Sequence, residues 1–226
     1  MTYAIAKSSS RPQGGFLEFS NDEWEQDALK RGYGAEYNSM FRGNLGTPIE
    51  LDKVPSYVVV RKPRPELPDM FWGQASLLVV SGAYHDIIER LDPGLHQMWP
   101  IEMRRKRKGP YPGRWYGLNI RPRAKAISPA ESDTKIAKGS ERLGTPDHIR
   151  VQNSFKVAVR KDALPDVNLW WDDGLDGPVI LCSDALRDAV VAEGLKSIPL
   201  IKAKEVCAQV LEDMQTEILR HTCGGY

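Results

Sequence analysis

Cysteine is scarce in this sequence, with Cys182, Cys207 and Cys223 the three among 226 residues. The count is odd, and none stands in a C-x-x-C pair or at metal-ligand spacing. That excludes a disulfide scaffold, a cysteine-based zinc module and a dithiol redox site, and leaves free thiols as the expectation. Long apolar runs are also missing: no stretch approaches the roughly 20 residues of a membrane-spanning helix. The opening "MTYAIAKSSS" lacks the apolar run and cleavage signal of a secretory peptide, so a cytoplasmic protein with no membrane partner is expected. Charge of one sign is not in excess either. Lys and Arg number 31 against 30 Asp and Glu, a net charge of +1, so no whole-molecule field draws the chain to nucleic acid or an anionic membrane. An electrostatic partner must be met by a local patch.

Clustered histidine is absent as well. His85, His96, His148 and His221 are scattered, with no H-E-x-x-H or Cys/His group around them, which argues against a metal site. No glycine-rich phosphate loop or dinucleotide fingerprint occurs, since "GGF" and "GYG" lack the strand-glycine-helix context. No cofactor is expected.

What is present is enough apolar material for a core: 41% of residues are hydrophobic and 27% charged. Residues 1–66 read as an irregular arm, rich in Gly, Ser and Asn up to Gly46, followed by a first strand. Within the arm, "NDEWEQDALKR" at Asn21 to Arg31 has the capping residue and early acids of a short helix. "YVVVRK" from Tyr57 has β-branched strand character, and the prolines of "KPRPELP" stop it. Residues 67–226 read as an α+β domain, forming one compact unit with the arm. Within it the polar, Pro- and Gly-broken stretch 124–147 is expected to be a mobile surface excursion.

The most informative feature is an internal echo, "LLVVSGAYHDIIERLDPGLHQMWPI" from Leu77 and "VILCSDALRDAVVAEGLKSIPL" from Val179, about a hundred residues apart. Each reads as strand, helix, strand. A four-residue apolar run precedes a serine, Ser81 or Ser183, whose hydroxyl can cap the next helix. Apolar residues then follow at helical spacing, Tyr84, Ile87, Ile88 and Leu91 in one copy and Leu186, Ala189 and Val190 in the other. Gly94 and Gly194 end the helices. "RWYGLNIRPR" and "SFKVAVRK" add strands, the latter with Phe155, Val157 and Val159 alternating. Beyond Ala203, a final amphipathic helix is predicted from the stripe Val206, Val210, Met214 and Ile218. The expected fold is therefore α+β, with a mixed β-sheet, two related strand-helix-strand units and a C-terminal amphipathic helix.

Three patterns could carry chemistry. Ser81 in "VVSGA" and Ser183 in "LCSDA" sit where a nucleophile elbow would, but neither is G-x-S-x-G, and capping accounts for both. "WWDDGLDG" gathers Asp172, Asp173 and Asp176 beside Trp170 and Trp171. It lacks the twelve-residue calcium pattern and reads as a turn, or as a protein-contact surface anchored by tryptophan. "MRRKRKGPYPGRWY" places Arg104, Arg105, Lys106, Arg107 and Lys108 next to Tyr111, Trp115 and Tyr116. It reads as a basic hairpin tip, a contact for an acidic protein, or a nucleic-acid patch with stacking aromatics.

The order of "LLVVSGAYHDIIERLDPGLHQMWPIEM", "RWYGLNIRPRAKAIS", "SFKVAVRKDALPDVNLWW" and "PVILCSDALRDAVVAEGLKSIPL" resembles the eleventh immunity-protein family of bacterial polymorphic toxin systems, over roughly Leu67 to Lys202. In "AKAIS", Ser128 stands where that family tends to place an acid. The resemblance implies inhibition of a cognate protein toxin by direct binding, with the toxin encoded beside this gene, delivery by a type VI system among the settings, and no catalytic residues. Toxin contacts are expected at Arg104 to Lys108, at Trp170, Trp171, Asp172, Asp173 and Asp176, or on the N-terminal arm. The rival readings are a nucleic-acid-binding module using residues 104–108 and an enzyme of unrecognised type.

Overall fold

A computed structural model describes residues 1–5, 19–20, 46–61, 64–73, 77–137, 148–151, 156–173, 179–196 and 199–207. In chain order these form β1 (Thr2–Ile5), β2 (Phe19–Ser20), a 3-10 helix at Leu51–Lys53, β3 (Tyr57–Val60), β4 (Met70–Trp72), β5 (Leu78–Ser81) and α1 (Gly82–Leu91). There follow β6 (Gln97–Pro100), β7 (Glu102–Arg105), β8 (Gly109–Pro110), β9 (Trp115–Asn119), β10 (Arg123–Ala124), β11 (Thr134–Ala137), β12 (His148–Val151) and β13 (Ala158–Arg160). After a 3-10 helix at Lys161–Ala163 come β14 (Leu169–Asp172), β15 (Val179–Ser183), α2 (Asp184–Ala192), β16 (Leu200–Lys202) and β17 (Lys204–Val206). The protein is α+β.

Two sheets carry the helices. The first has the order β4-β5-β9-β6 and is antiparallel throughout. The second has the order β10-β14-β15-β1-β16, with β10 parallel to β14 and the remaining pairs antiparallel. In each, an antiparallel pair leads into a helix and the chain returns as an edge strand. A strand from elsewhere then fills the space between: β9 between β5 and β6, β1 between β15 and β16. A third sheet, β2-β3-β7-β8, is mixed because β3 and β7 run parallel. β13 pairs in parallel with β17, and β11 pairs antiparallel with β12. The single mixed sheet expected from sequence is thus divided among several.

The helices start where the serines predict. Ser81 Oγ accepts the Tyr84 N–H at 3.3 Å, and Ser183 Oγ accepts that of Leu186 at 3.3 Å. Past the end of α2, Gly194 takes a φ of +63°, a left-handed turn that glycine makes without steric cost. Tyr84, Ile87 and Ile88 of α1 and Leu186 and Val190 of α2 are buried, one stripe per helix. They meet Met70, Trp72, Leu78, Val80 and Leu118 from the first sheet and Ile5, Leu169, Trp171, Ile180 and Cys182 from the second in one core. Burying a large apolar side chain of this kind contributes about 2 kcal/mol.

The opposite faces of both sheets are covered too. Phe71, Val79 and Trp99 pack with Val58, Val60, Met103 and Tyr111 of the third sheet's layer. Ala4, Trp170 and Leu181 pack with Ala126, Ile127, Val157 and Val159. Burial on both faces is why the strands read as continuous apolar runs such as "LLVV" and "VILC" rather than as alternations.

Several expectations change. Thr2–Ile5, assigned to an irregular arm, is a fully buried strand of the second sheet. Its partners β15 and β16 lie at the far end of the chain, beyond the reach of local pattern. Val206, assigned to a C-terminal helix, lies in β17, and residues 208–226 lie outside the described residues. Residues 124–137 of the expected excursion include the buried Ala126, Ile127 and Ser128, while 138–147 fall outside the described residues. The helix expected at Asn21 to Arg31 also lies outside them. Val157 and Val159 are buried as expected, but so is the intervening Ala158, because β13 is covered on both sides.

Candidate functional site

The basic run forms a hairpin. β7 carries Arg104 and Arg105, Lys106 to Lys108 make the turn, and β8 returns antiparallel with Arg105 opposite Gly109. Gly109, with φ +70°, supplies the left-handed residue that the tight return needs. The parallel pairing of β3 with β7 sets Val60 opposite Arg105, so the chain leaving β3 runs out beside the hairpin tip. There Tyr111 fixes the other wall. Its hydroxyl accepts the Arg64 N–H at 3.1 Å and donates to the Arg64 carbonyl at 3.2 Å.

The result is a groove of about 600 Å³ lined by Arg61, Arg64 and Pro65 from the chain after β3 and by Arg105, Lys106, Arg107 and Lys108 from the hairpin. Among the described residues, the lining holds no carboxylate, histidine or thiol. The groove therefore offers concentrated positive charge and hydrogen-bond donors, and no group suited to take up a proton near neutral pH.

The cations at the base of the hairpin are held in place. The Arg104 guanidinium makes two bonds to Glu102, at 2.8 and 3.0 Å, and lies 3.9 Å from the centre of the Tyr57 ring. The same bonds hold the Glu102 carboxyl below the usual carboxylate range. Arg105 lies over the Tyr111 ring, 4.9 Å from its centre, and donates to the Pro110 carbonyl at 2.6 Å. Lys106, Arg107 and Lys108 are exposed at the tip. The neighbouring aromatics are engaged elsewhere. Tyr111 is buried, the Trp115 indole donates to the Pro112 carbonyl at 3.2 Å, and Tyr116 stacks on His85 with ring centres 4.0 Å apart.

Of the second candidate surface, Trp170, Trp171 and Asp172 are buried. Trp170 and Trp171 are 2% and 8% exposed and belong to β14, whose alternate residues face two different cores. Asp172, 1% exposed, accepts the Ala126 N–H at 2.5 Å and the Ile127 N–H at 3.1 Å, so its carboxylate anchors a neighbouring segment. Asp173 is half-buried and paired with Arg123, and Asp176 lies outside the described residues. Exposure of the tryptophans was expected because "DDG" signals a turn, but the strand runs to Asp172 before the chain leaves it.

A buried polar seam went unforeseen. Asp92, just past α1, accepts the N–H groups of Asn168 at 3.0 Å and Leu169 at 3.1 Å and the Asn168 side-chain amide at 2.9 Å. Asn168 Oδ1 accepts from Ser183 Oγ at 2.6 Å, which links the end of α1 to the cap of α2. His96 Nε2 lies 3.2 Å from Asp92, and burial pushes the imidazole below its ordinary value of 6.5. These contacts join the two sheets, and Ser183 is committed to Leu186 and Asn168. The Cys182 thiol is buried and pushed up to about 12, which makes it inert. Among the described residues no group of His, Cys, Asp or Glu could hold a metal ion, and no helix is long and apolar enough to cross a membrane.

A smaller cleft of about 460 Å³ adjoins the basic groove at Pro65 and reaches Ser81 and Gly82. Of its charged residues, Glu66 pairs with Lys196, Arg114 pairs with Asp86 at 2.6 Å, and the Asp69 carboxylate accepts the Lys196 N–H at 2.8 Å. Sequence reasoning missed Arg61 and Arg64, reading the first as part of the strand run "YVVVRK" and the second as part of the stop "KPRPELP". The one signal was their position directly after a strand, and the parallel pairing that gives it meaning is a property of the fold.

Comparison with curated proteins finds no match. The profile of the Immunity protein family (Imm11) matches residues 7–205, so the chain belongs to that family: it is an immunity protein of a polymorphic toxin system, it neutralises a cognate toxin, and it is not an enzyme.

Proposed function

We propose that neutralisation works by direct contact between the toxin and the basic hairpin, with Arg104 to Lys108 as the contacting element. The observation that carries this reading is the groove itself, where Arg and Lys line a concavity with no acid among its described residues. A surface of this kind steers an oppositely charged partner and fixes its register. Asp173 and Asp176 are secondary candidates, and Trp170, Trp171 and Asp172 are withdrawn because they are buried.

The same reading places the protein in the cytoplasm of the toxin-producing bacterium, with the toxin encoded by the adjacent gene and delivered by a type VI system. The two strand-helix-strand units are read as copies of one scaffold, with the hairpin as an addition to the first. The test is rescue. Cells expressing the C-terminal domain encoded by the neighbouring reading frame should survive when this chain is co-expressed, and purified samples of the two should form a complex. Death of the cells despite expression of this chain, with no complex, would end the reading.

A further inference from the structure

We infer that the groove between Arg61, Arg64 and the hairpin tip receives a protruding acidic segment of the toxin, clasped between two walls rather than laid across one. The inference rests on the proposed contact at the hairpin and adds the opposite wall and the chemistry of the occupant. The hairpin alone would present a convex tip. Arg64 converts it into a concavity because Tyr111 ties the Arg64 backbone down on both its N–H and its carbonyl, fixing the spacing between the walls. Both walls carry cations and the described lining residues include no carboxylate, so an entering acidic group complements the charge of Arg64, Lys106, Arg107 and Lys108.

Three observations select an acidic protein segment over nucleic acid. The aromatics that would stack bases are engaged: Tyr111 is buried, Trp115 is turned to Pro112, and Tyr116 is stacked on His85. The chain's net charge of +1 gives no whole-molecule field to draw nucleic acid to the groove. A volume of about 600 Å³ accommodates a few side chains, not a duplex. Guanidinium groups on the walls suit carboxylates, which they can grip through paired hydrogen bonds. A face that binds polyanionic substrates is itself basic, so the entering segment is not part of a nucleic-acid-binding face of the toxin.

The experiment uses the full chain and the toxin domain it protects against. Complex formation is measured by calorimetry for the native chain, for K106E/K108E on one wall, for R64E on the other, for all three changes together, and for K202E, an exposed lysine on β16. Urea midpoints establish that each variant is folded, and R64K, which keeps the charge, serves as a rescue. We expect each wall to cost about 10-fold in Kd and both together about 100-fold, with the losses largest at low salt. R64K should recover most of the binding that R64E loses, and K202E should bind as the native chain does. An oligo-aspartate peptide should compete with the toxin, and a single-stranded oligonucleotide should not.

If K106E/K108E weakens the complex while R64E leaves it intact, the two-walled groove is wrong and the hairpin contact survives. If neither wall matters, the hairpin reading falls as well, although immunity stands. Competition by the oligonucleotide, lost in the triple variant while toxin binding persists, would assign the groove to nucleic acid and overturn the inference.

Discussion

The two helix-bearing sheets share an order of elements and differ in what fills the middle. In the first, the inserted strand β9 is only a short connection away from β6, and that connection, residues 101–114, is the basic hairpin. In the second, the inserted strand is β1, from the opposite end of the chain, so no segment bridges β16 to it. One half therefore carries a hairpin between edge and centre, and the other has no such connection there. The central position differs as well. Gly117 of β9 lies opposite Trp99, while its counterpart Ala4 of β1 lies opposite Ile201. A Cβ on Gly117 would stand 2.3 Å from the Trp99 ring, so the larger partner requires the smaller residue.

The helix ends diverge most. α1 is followed by the buried Asp92, which ties it to the second sheet, whereas α2 is followed by the exposed Glu193. The largest effect is accordingly expected from Asp92→Ala. It strips partners from the N–H groups of Asn168 and Leu169 at once, at a cost of about 4 kcal/mol, while Glu193→Ala should change stability by less than about 0.5 kcal/mol. Urea unfolding of the pair measures the contrast, and equal effects would show that the seam contributes nothing. Next, Gly117→Ala should cost about 3 kcal/mol through the clash with Trp99, against about 1.5 kcal/mol for Ala4→Gly, which adds backbone freedom and removes one buried methyl. Thermal melts of the two variants check the order.

The caps should differ less. Ser81→Ala is expected to cost about 1 kcal/mol, and Ser183→Ala somewhat more, because Ser183 Oγ also satisfies Asn168. Smallest is the response to pH. His96 has a value below 6.5 when folded, so the unfolded chain binds the proton more readily. The stability it supports is complete above pH 6.5 and is lost as the pH falls from there toward the folded value. Urea midpoints at about pH 7.5 and about pH 5.5 should converge in His96→Gln relative to the native chain. An unchanged slope would remove His96 from the seam's electrostatics.

Local chemistry was legible in the sequence. Ser81 and Ser183 announce the helix starts because a cap is a contact between residues three apart, and "YVVV" announces β3 by β-branching alone. What could not be read depends on residues brought together from far apart. β1 becomes a sheet strand through partners that lie beyond residue 179, and Arg61 and Arg64 become a wall only through the parallel pairing of β3 with β7. Trp170 and Trp171 were misplaced for a related reason. In a strand covered on both faces, consecutive tryptophans can both be buried, and only the layers above and below reveal it. Val206 fits a helical stripe by spacing, but β13 captures its segment as a strand. The family resemblance, over roughly Leu67 to Lys202, carried the function further than any single residue did.

Hydrogen-deuterium exchange of the full chain with and without its toxin tests the central claim most directly. The account predicts new protection confined to residues 61–65 and 102–111, with β14 and β15 exchanging as they do in the free protein. Protection concentrated on the second sheet, with the hairpin unchanged, would contradict it.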